Sequence, residues 1–322
     1  MGTIAVVAIE NLDANNIAKL MYCFRDALQE HKESLNSLNV YPVPDGDTGS
    51  NMTATLNSVV SEIESLEDPE FENIIEAISH GSLMGARGNS GVIISQILRG
   101  FVSEIKNASK KTIDANLFSD ALRAAASAAY EAVGNPVEGT ILTVVRETAE
   151  AAEKSLLEHS NLLLVAETAR EAAKRSLDST PDLLPVLARA GVVDAGGSGF
   201  LLMLDSLLHV IDDRPMPEPE IVKASVDSLI LDIHDDTTNS GTRYEVMYFL
   251  DAPDDLIPGF KKAWSEIGDS IVVVGGENIW NCHVHTNNIG AAVEAGISIG
   301  KPHDIRVTDL FEEIAENHHE QD

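Results

Sequence analysis

The chain changes its hydrophobic pattern at one place. Residues 212–220 read Asp-Asp-Arg-Pro-Met-Pro-Glu-Pro-Glu, three prolines spaced among charges. Proline fixes its own backbone and biases the preceding residue towards extended geometry, so this stretch is predicted to be an extended, solvated linker. Before it, apolar residues recur at helical spacing and no convincing alternating strand appears. After it, short alternating runs begin. The switch in period predicts a mainly α first domain, about eight helices in an antiparallel array, followed by a small α+β domain. The expected boundaries are residues 1–212 for the helical domain, 213–225 for the linker and 226–322 for the α+β domain.

The first helix is predicted to start near Asp13, where Ile17, Leu20, Met21, Phe24 and Leu28 then lay out one apolar face. Further helices are expected from about Ser50, over 71–84, from Val92 to about Ile105, and over 115–133, 141–159 and 162–177. A short one starts at Ser179, and a last apolar one begins at Phe200. Beyond the linker, 243–250, 270–274, 279–285 and 304–307 read as strands. Helices are expected at 254–267 and 288–298, with an acidic one at the end. Strand, helix, hairpin, helix, strand describes a ferredoxin-like sandwich.

Charge excludes one class of partner. The 322 residues carry 22 Lys and Arg against 52 Asp and Glu, a formal net charge of −30, so no basic excess exists to displace counterions from nucleic acid. The longest apolar runs fall far short of a membrane span, so no stable membrane insertion is expected. The apolar residues 3–9 lack the flanks of a signal peptide. The only two cysteines, Cys23 and Cys282, do not make a disulfide scaffold, and the cytoplasm is the expected location.

Chemistry concentrates in the loops of the helical part. Asn39-Val-Tyr-Pro-Val-Pro-Asp-Gly-Asp-Thr-Gly-Ser-Asn-Met52 places Asp45 and Asp47 around a glycine after two prolines. Two acids at i and i+2 can converge on a hard cation. Thr48, Gly49, Ser50 and Asn51 could hold an anion where the next helix starts. The same residue types also make an ordinary helix-capping loop, and the pattern alone does not separate the two readings. Gly85-Ala-Arg-Gly-Asn-Ser-Gly91 is neither a P-loop nor a dinucleotide fingerprint. Taken alone it reads first as close helix packing with a cap from Asn89 or Ser90, ahead of a phosphate contact. Pro136–Thr140 and Asp194–Gly199 are two further Gly-rich loops. Up-and-down helices would gather all four loops at one end, a reasonable place for a ligand. In the second domain, His283 and His285 at i and i+2 of a strand share one face. Two imidazoles so placed suit zinc, or are a surface or hydrogen-bonded pair on an edge strand.

Together, N-V-Y-P-V-P-D-G-D-T-G-S-N-M, G-A-R-G-N-S-G-V-I, P-V-E-G-T-I-L-T-V and G-V-V-D-A-G-G-S-G resemble the bacterial fatty acid kinase. Its first domain is related to the nucleotide-binding L subunit of dihydroxyacetone kinase, and C-H-V-H-T resembles its middle domain. The resemblance covers nearly the whole chain, in order. It implies an eight-helix barrel that holds ATP and Mg2+ at one end. Asp45 and Asp47 would be the catalytic magnesium ligands, with Asn39 where the related subunit has a third Asp. Thr48, Gly49, Ser50 and Asn51, then Asn89 and Ser90, would face the phosphates. Gly139 and Thr140 with Asp194, Ala195 and Gly196 would surround the rest of the nucleotide. The family's middle domain implies zinc held by two histidines and a cysteine from an early strand. No cysteine stands there in this chain, and Glu245 would take its place beside His283 and His285.

The activity implied is ATP-dependent phosphorylation of a fatty acid presented by a carrier protein, giving acyl phosphate for phospholipid metabolism. Two alternatives stand beside it: a dihydroxyacetone-type phosphotransferase subunit, and a nucleotide-binding protein without catalysis. The latter arises because the family has a further C-terminal domain, and this sequence stops where that domain is expected. A homodimer is left open.

Overall fold

The computed structural model describes residues 9–220 and 242–312. The apolar stretch before residue 9, the second part of the expected linker, the expected start of the second domain and the acidic C-terminal end beyond residue 312 lie outside the described residues.

Eight long helices build the first part. They are α1 (Ala14–Glu30), α3 (Thr48–Glu64), α4 (Phe71–Gly85), α5 (Gly88–Ala108), α6 (Ala115–Ala132), α7 (Ile141–Leu156), α8 (Leu162–Asp178) and α11 (Ala195–Asp212). Short helices α2 (Lys32–Ser37), α9 (Thr180–Leu183) and α10 (Pro185–Ala190) lie in the connections. Each long helix packs on the next in chain order, and α11 returns to α1, which closes a ring. Ring closure explains why these helices are apolar over broad faces: each buries one side in the interior and its flanks against two neighbours. Phe24, Met52, Leu56, Ile94, Phe118 and Phe200 are fully buried in that interior.

Local sequence accounts for most helix starts. Asp13 accepts from Asn16 in a capping box, Asp114 accepts from the Leu117 N–H, and Asn161 from the Leu164 N–H. Pro181 and Pro185 stand in the first turns of α9 and α10, where a missing N–H costs nothing. Three expected boundaries shift. The first helix breaks at His31 and resumes as α2. The helix expected from Val92 starts at Gly88, and the one expected from Phe200 starts at Ala195, because Asp194 caps it. In both shifted starts the glycines are the first helical turn, not a loop.

The first residues of the expected linker carry neither helix nor strand, as their prolines require, but they are not loose in solvent. The His31 Nε2 lies 3.1 Å from the Pro217 carbonyl, Ser34 donates to the Glu220 carbonyl, and Arg214 bridges Asp212 and Glu167.

The second part is a four-stranded sheet of β1 (Tyr244–Asp251), β2 (Gly268–Gly276), β3 (Ile279–Thr286) and β4 (Lys301–Asp309), with α12 (Ile257–Ser265) and α13 (Ile289–Ile299). Strand order is β2-β3-β1-β4 and every neighbouring pair is antiparallel, the ferredoxin-like arrangement. Glu277 and Asn278 turn the β2–β3 hairpin with positive φ of 55° and 67°, the twist-matched geometry that two-residue hairpins favour. Val246, Tyr248, Cys282 and Val284 face a core with Phe260 and Trp264 of α12. The opposite face presents Met247, Val272 and Val274 to Leu83, Ala86, Val92 and Ala132 of the ring. Polar contacts add to this seam: the Asn281 amide donates to the Leu83 carbonyl at 3.3 Å, and Val133 pairs with Val272 as an isolated bridge. Among the described residues, no helix is long and apolar enough to cross a membrane.

α5 packs closely on α6. A Cβ added to Gly100 would lie 2.7 Å from the Ala124 carbonyl oxygen and 2.7 Å from the Ala128 Cβ. Gly100→Ala gains about 1 kcal/mol of helix propensity, yet overpacking typically costs about 1–3 kcal/mol. We therefore expect a net loss of stability, read as a lower urea midpoint. A raised midpoint would show that the two helices can part without cost.

Candidate functional site

The four Gly-rich loops do meet at one end of the ring. The Ser90 hydroxyl of α5 reaches the Thr48 carbonyl of α3 at 3.5 Å. Gly199 of α11 packs against Met52 of α3, and Gly196 packs against Ile141 of α7. The first turns of α3, α5, α7 and α11 therefore share this end, and their N–H groups carry the positive ends of four helix dipoles.

Two of these termini are closed by side chains. Thr140 accepts from the Leu142 N–H at 3.3 Å and donates to the Val137 carbonyl. Asp194 accepts from the Gly197 N–H at 2.7 Å and from the Ile141 backbone, joining the starts of α11 and α7. The Gly139 N–H donates to Thr143 at 2.9 Å. Thr140 and Asp194, expected around the nucleotide, are thus helix caps as well. Ala195 and Gly196 form the turn that Asp194 caps. Tyr41, which follows Val40 on a cluster with Leu187 and Ala195, feels the Asp194 charge and ties this half of the rim to the Asp45 loop.

The other two termini are not closed by their own N-cap side chains. Asp47 occupies the N-cap position of α3 and Arg87 that of α5, yet neither side chain bonds the first-turn N–H groups. The caps expected from Asn89 or Ser90 do not form, because both residues lie inside the first turn of α5. Asp47 instead accepts from the Asn51 side chain, and Asp45 accepts from the Asn39 amide. Asn39 therefore acts here as a donor that orients Asp45. Thr48 and Gly49 are buried, and a Cβ on Gly49 would collide with the Lys32 carbonyl of α2. Ser50 is engaged through both its N–H and its hydroxyl by Asn36. Gly88 has φ of +53°, and a Cβ there would collide with the Asn51 amide nitrogen. Only glycine allows α5 to start so close to the residue that holds Asp47.

The sheet closes over this rim. Glu245 on β1 lies directly opposite His285 on β3, and His283 shares that face. The Glu245 carboxylate is 3.6 Å from His283 Nδ1 and 3.8 Å from His285 Nε2. One ligand atom from each of the three lies within 4.8 Å of the others. β3 is an inner strand and both histidines are buried, so the edge-strand reading of the pair does not hold. His283 has both ring nitrogens buried without a hydrogen-bond partner, an arrangement that a metal ion would relieve. Burial pushes the His283 imidazole down to about 4, so it is neutral at pH 7. Burial pushes the Glu245 carboxyl up, but the two imidazoles outweigh it and hold the carboxyl below its usual range.

This cluster and the Asp45 loop belong to one electrostatic site. Burial pushes the Asp47 carboxyl up; contact with Asp45 and with Asn51 opposes that, Glu245 adds to it, and His285 counters. Sequence spacing marks each group separately. Nothing in one dimension brings Glu245 to Asp47, because the linker and the domain seam do so.

These features define a helical ring with an acid-and-amide rim, covered by a ferredoxin-like sheet. Residues 42–209 match the DAK2 domain, and the chain belongs to this family, whose kinase components are of the dihydroxyacetone kinase type. Residues 241–317 match the FakA-like middle domain of fatty acid kinase. Protein YloV of Bacillus subtilis is 34% identical, with 95% of this chain and 57% of YloV covered. An uncharacterized protein of Staphylococcus saprophyticus is also 34% identical, covering 96% of this chain and 57% of that protein. The chain thus spans little more than half the length of these relatives. Among solved structures, the dihydroxyacetone kinase of C. freundii in complex with AMP-PNP and Mg2+ aligns at 18% identity with a TM-score of 0.46, over 65% of this chain and 36% of that one.

Asp194 gives a pH test of the rim. Burial raises its carboxyl from 3.8 to about 6 in the folded state. A raised folded value means that stability is full below the unfolded value and is lost as pH rises through about 6. The stability of the wild type minus that of D194N should therefore fall between pH 4 and pH 7, by up to roughly 3 kcal/mol at about 1.4 kcal/mol per pH unit. Urea unfolding at several pH values measures it. A flat or rising difference would mean that the two helix termini keep the carboxylate ionised throughout.

Proposed function

We propose that this chain is the ATP-binding component of a kinase that phosphorylates the carboxylate of a fatty acid presented by a separate carrier protein, giving acyl phosphate and ADP. The observation that carries the reading is the convergence of Asp45 and Asp47 with two helix N-termini that their own N-cap side chains leave open, in a chain of the DAK2 domain family. The match to the FakA-like middle domain of fatty acid kinase favours a fatty acid over dihydroxyacetone as the acceptor.

The donor set fits divalent cations and phosphate. Asp47 touches Asp45 and feels Glu245, and such crowded carboxylates demand either a proton or a cation between them. Asp45 and Asp47 would hold Mg2+, which would supply positive charge to offset that of the phosphates. The protein's own contribution is orientation. Asn39 and Asn51 fix the two carboxylates, and Gly88 lets α5 approach them closely. The first-turn N–H groups of α5, from Gly88 to Ser90, are placed to donate to phosphate oxygens. Asp45 and Asp47 serve as cation ligands; the acceptor carboxylate is already ionised at pH 7 and needs no general base. Accurate placement of two anions then supplies most of what the reaction requires.

Glu245, His283 and His285 fit zinc with a two-imidazole, one-carboxylate set, and Zn2+ there would lock β1 to β3 beside the rim. The proposed location is the cytoplasm, in keeping with two unpaired thiols, Cys23 and Cys282.

Two measurements test this. Asp45→Asn and Asp47→Asn should each lower acyl phosphate formation by at least about 10²–10³-fold and abolish the rise in melting temperature that Mg–ATP gives the wild type, with an unchanged circular dichroism spectrum. Near wild-type turnover in either would sink the assignment. Separately, metal analysis of the purified chain should find close to one zinc per chain, lost in His283→Ala; protein free of zinc after preparation without chelator would rule out the zinc assignment.

A further inference from the structure

A second cavity opens beside the rim, between the α4–α5 turn and the outer part of the sheet. It measures about 270 Å3, room for roughly nine water molecules at about 30 Å3 each. Met84, Met247 and Phe249 give it apolar walls, while Arg87 and Arg306 bring two guanidinium groups to it. Arg306 on β4 lies directly opposite Met247 on β1, so it shares the sheet face that meets the ring.

Basic side chains are scarce in this acidic chain, and two of them meet at this cavity. Several other arginines are taken up by carboxylates, Arg146 by Glu138 and Glu150, Arg170 by Asp205, Arg214 by Asp212 and Glu167, Arg243 by Asp309, while Arg99 donates to the Gly275 carbonyl. Among the described residues, neither Arg87 nor Arg306 forms an ion pair. Arg87 donates only to the Met84 and Ala86 carbonyls, at 3.2 and 2.7 Å, which fixes its head at the cavity wall. Burial weakens its hold on its proton, the Arg306 charge weakens it further, and the Asp304 carboxylate opposes both. Asp304 also lines the cavity, with its carboxylate 3.1 Å from His303 Nδ1. A fixed and an exposed guanidinium beside apolar walls would complement an anionic head on an aliphatic stem.

We propose that this cavity binds the ionised carboxylate end of an aliphatic acid, with the head between Arg87 and Arg306 and the first methylenes against Met84, Met247 and Phe249. This rests on the kinase reading above and deepens it, because Arg87 immediately precedes Gly88, which packs on the amide holding Asp47. The cavity would present the acceptor carboxylate from the side of the sheet, while phosphate enters along the helix termini.

The test is binding, which is independent of turnover. Octanoate, octanol and inorganic phosphate are titrated calorimetrically into the whole chain, without nucleotide. Octanoate should bind, octanol at least tenfold more weakly, and phosphate more weakly than octanoate. Arg306→Gln, an exposed strand position far from the Asp45 loop in sequence, should weaken octanoate at least tenfold while Mg–ATP still raises the melting temperature as in the wild type. Arg306→Lys should recover part of the affinity. Octanol binding as well as octanoate, phosphate binding more tightly than octanoate, or octanoate affinity unchanged in Arg306→Gln would each overturn the proposal. If octanoate binds as expected and no acyl phosphate forms, the kinase reading fails and the carboxylate site stands.

Discussion

Asp47 is held against a second carboxylate, Asp45, and within the field of a third, Glu245. Much of the architecture can be understood as the means of keeping that arrangement. Like charges brought together away from bulk water raise one another's affinity for protons and cations. A folded chain keeps such a group only where the surroundings determine its position. Here Asn39 and Asn51 supply donors, α2 backs the start of α3, and the sheet closes from above. The same crowding gives an acidic protein a way to attract phosphate, since a bound cation reverses the sign of the local field.

The large elements are legible in the sequence because their apolar residues report a period. Ile17, Leu20, Met21, Phe24 and Leu28 mark α1, and each is buried. The four-strand order follows from the succession of strand, helix and hairpin. Starts of helices are less legible. Gly88, Asn89 and Ser90 look like a loop in a local reading, but they form a helical turn because α5 begins against Asn51. The residues 31–37 read as the end of one helix, yet most of them form a separate short one, α2, whose role is to seat Gly49.

Within the site, legibility depends on distance along the chain. Asp45 with Asp47, and His283 with His285, stand out because i and i+2 spacing is geometric information. Resemblance makes Asn39 a metal ligand, and in the structure its amide nitrogen donates to Asp45. Resemblance likewise sets Thr140 and Asp194 around the nucleotide, and both are bonded to backbone N–H groups of their own helices. Arg87 and Arg306 give no sign of belonging together. An arginine in a glycine loop and another on a strand carry no mutual signal until the sheet packs on the ring, and the scarcity of basic residues is the one hint that either has special work.

The isolated bridge between Val133 and Val272 has a different bearing. β2 is an edge strand, and edge strands offer unpaired backbone groups that invite association with other chains. Here the C-terminal end of α6 covers part of that edge, and the apolar face behind it, with Val272 and Val274, is covered by the ring as well. The helical domain therefore guards the sheet against self-association. A chain severed between the two domains would uncover an open strand edge and a greasy face together, the pairing from which sheet-to-sheet aggregates grow.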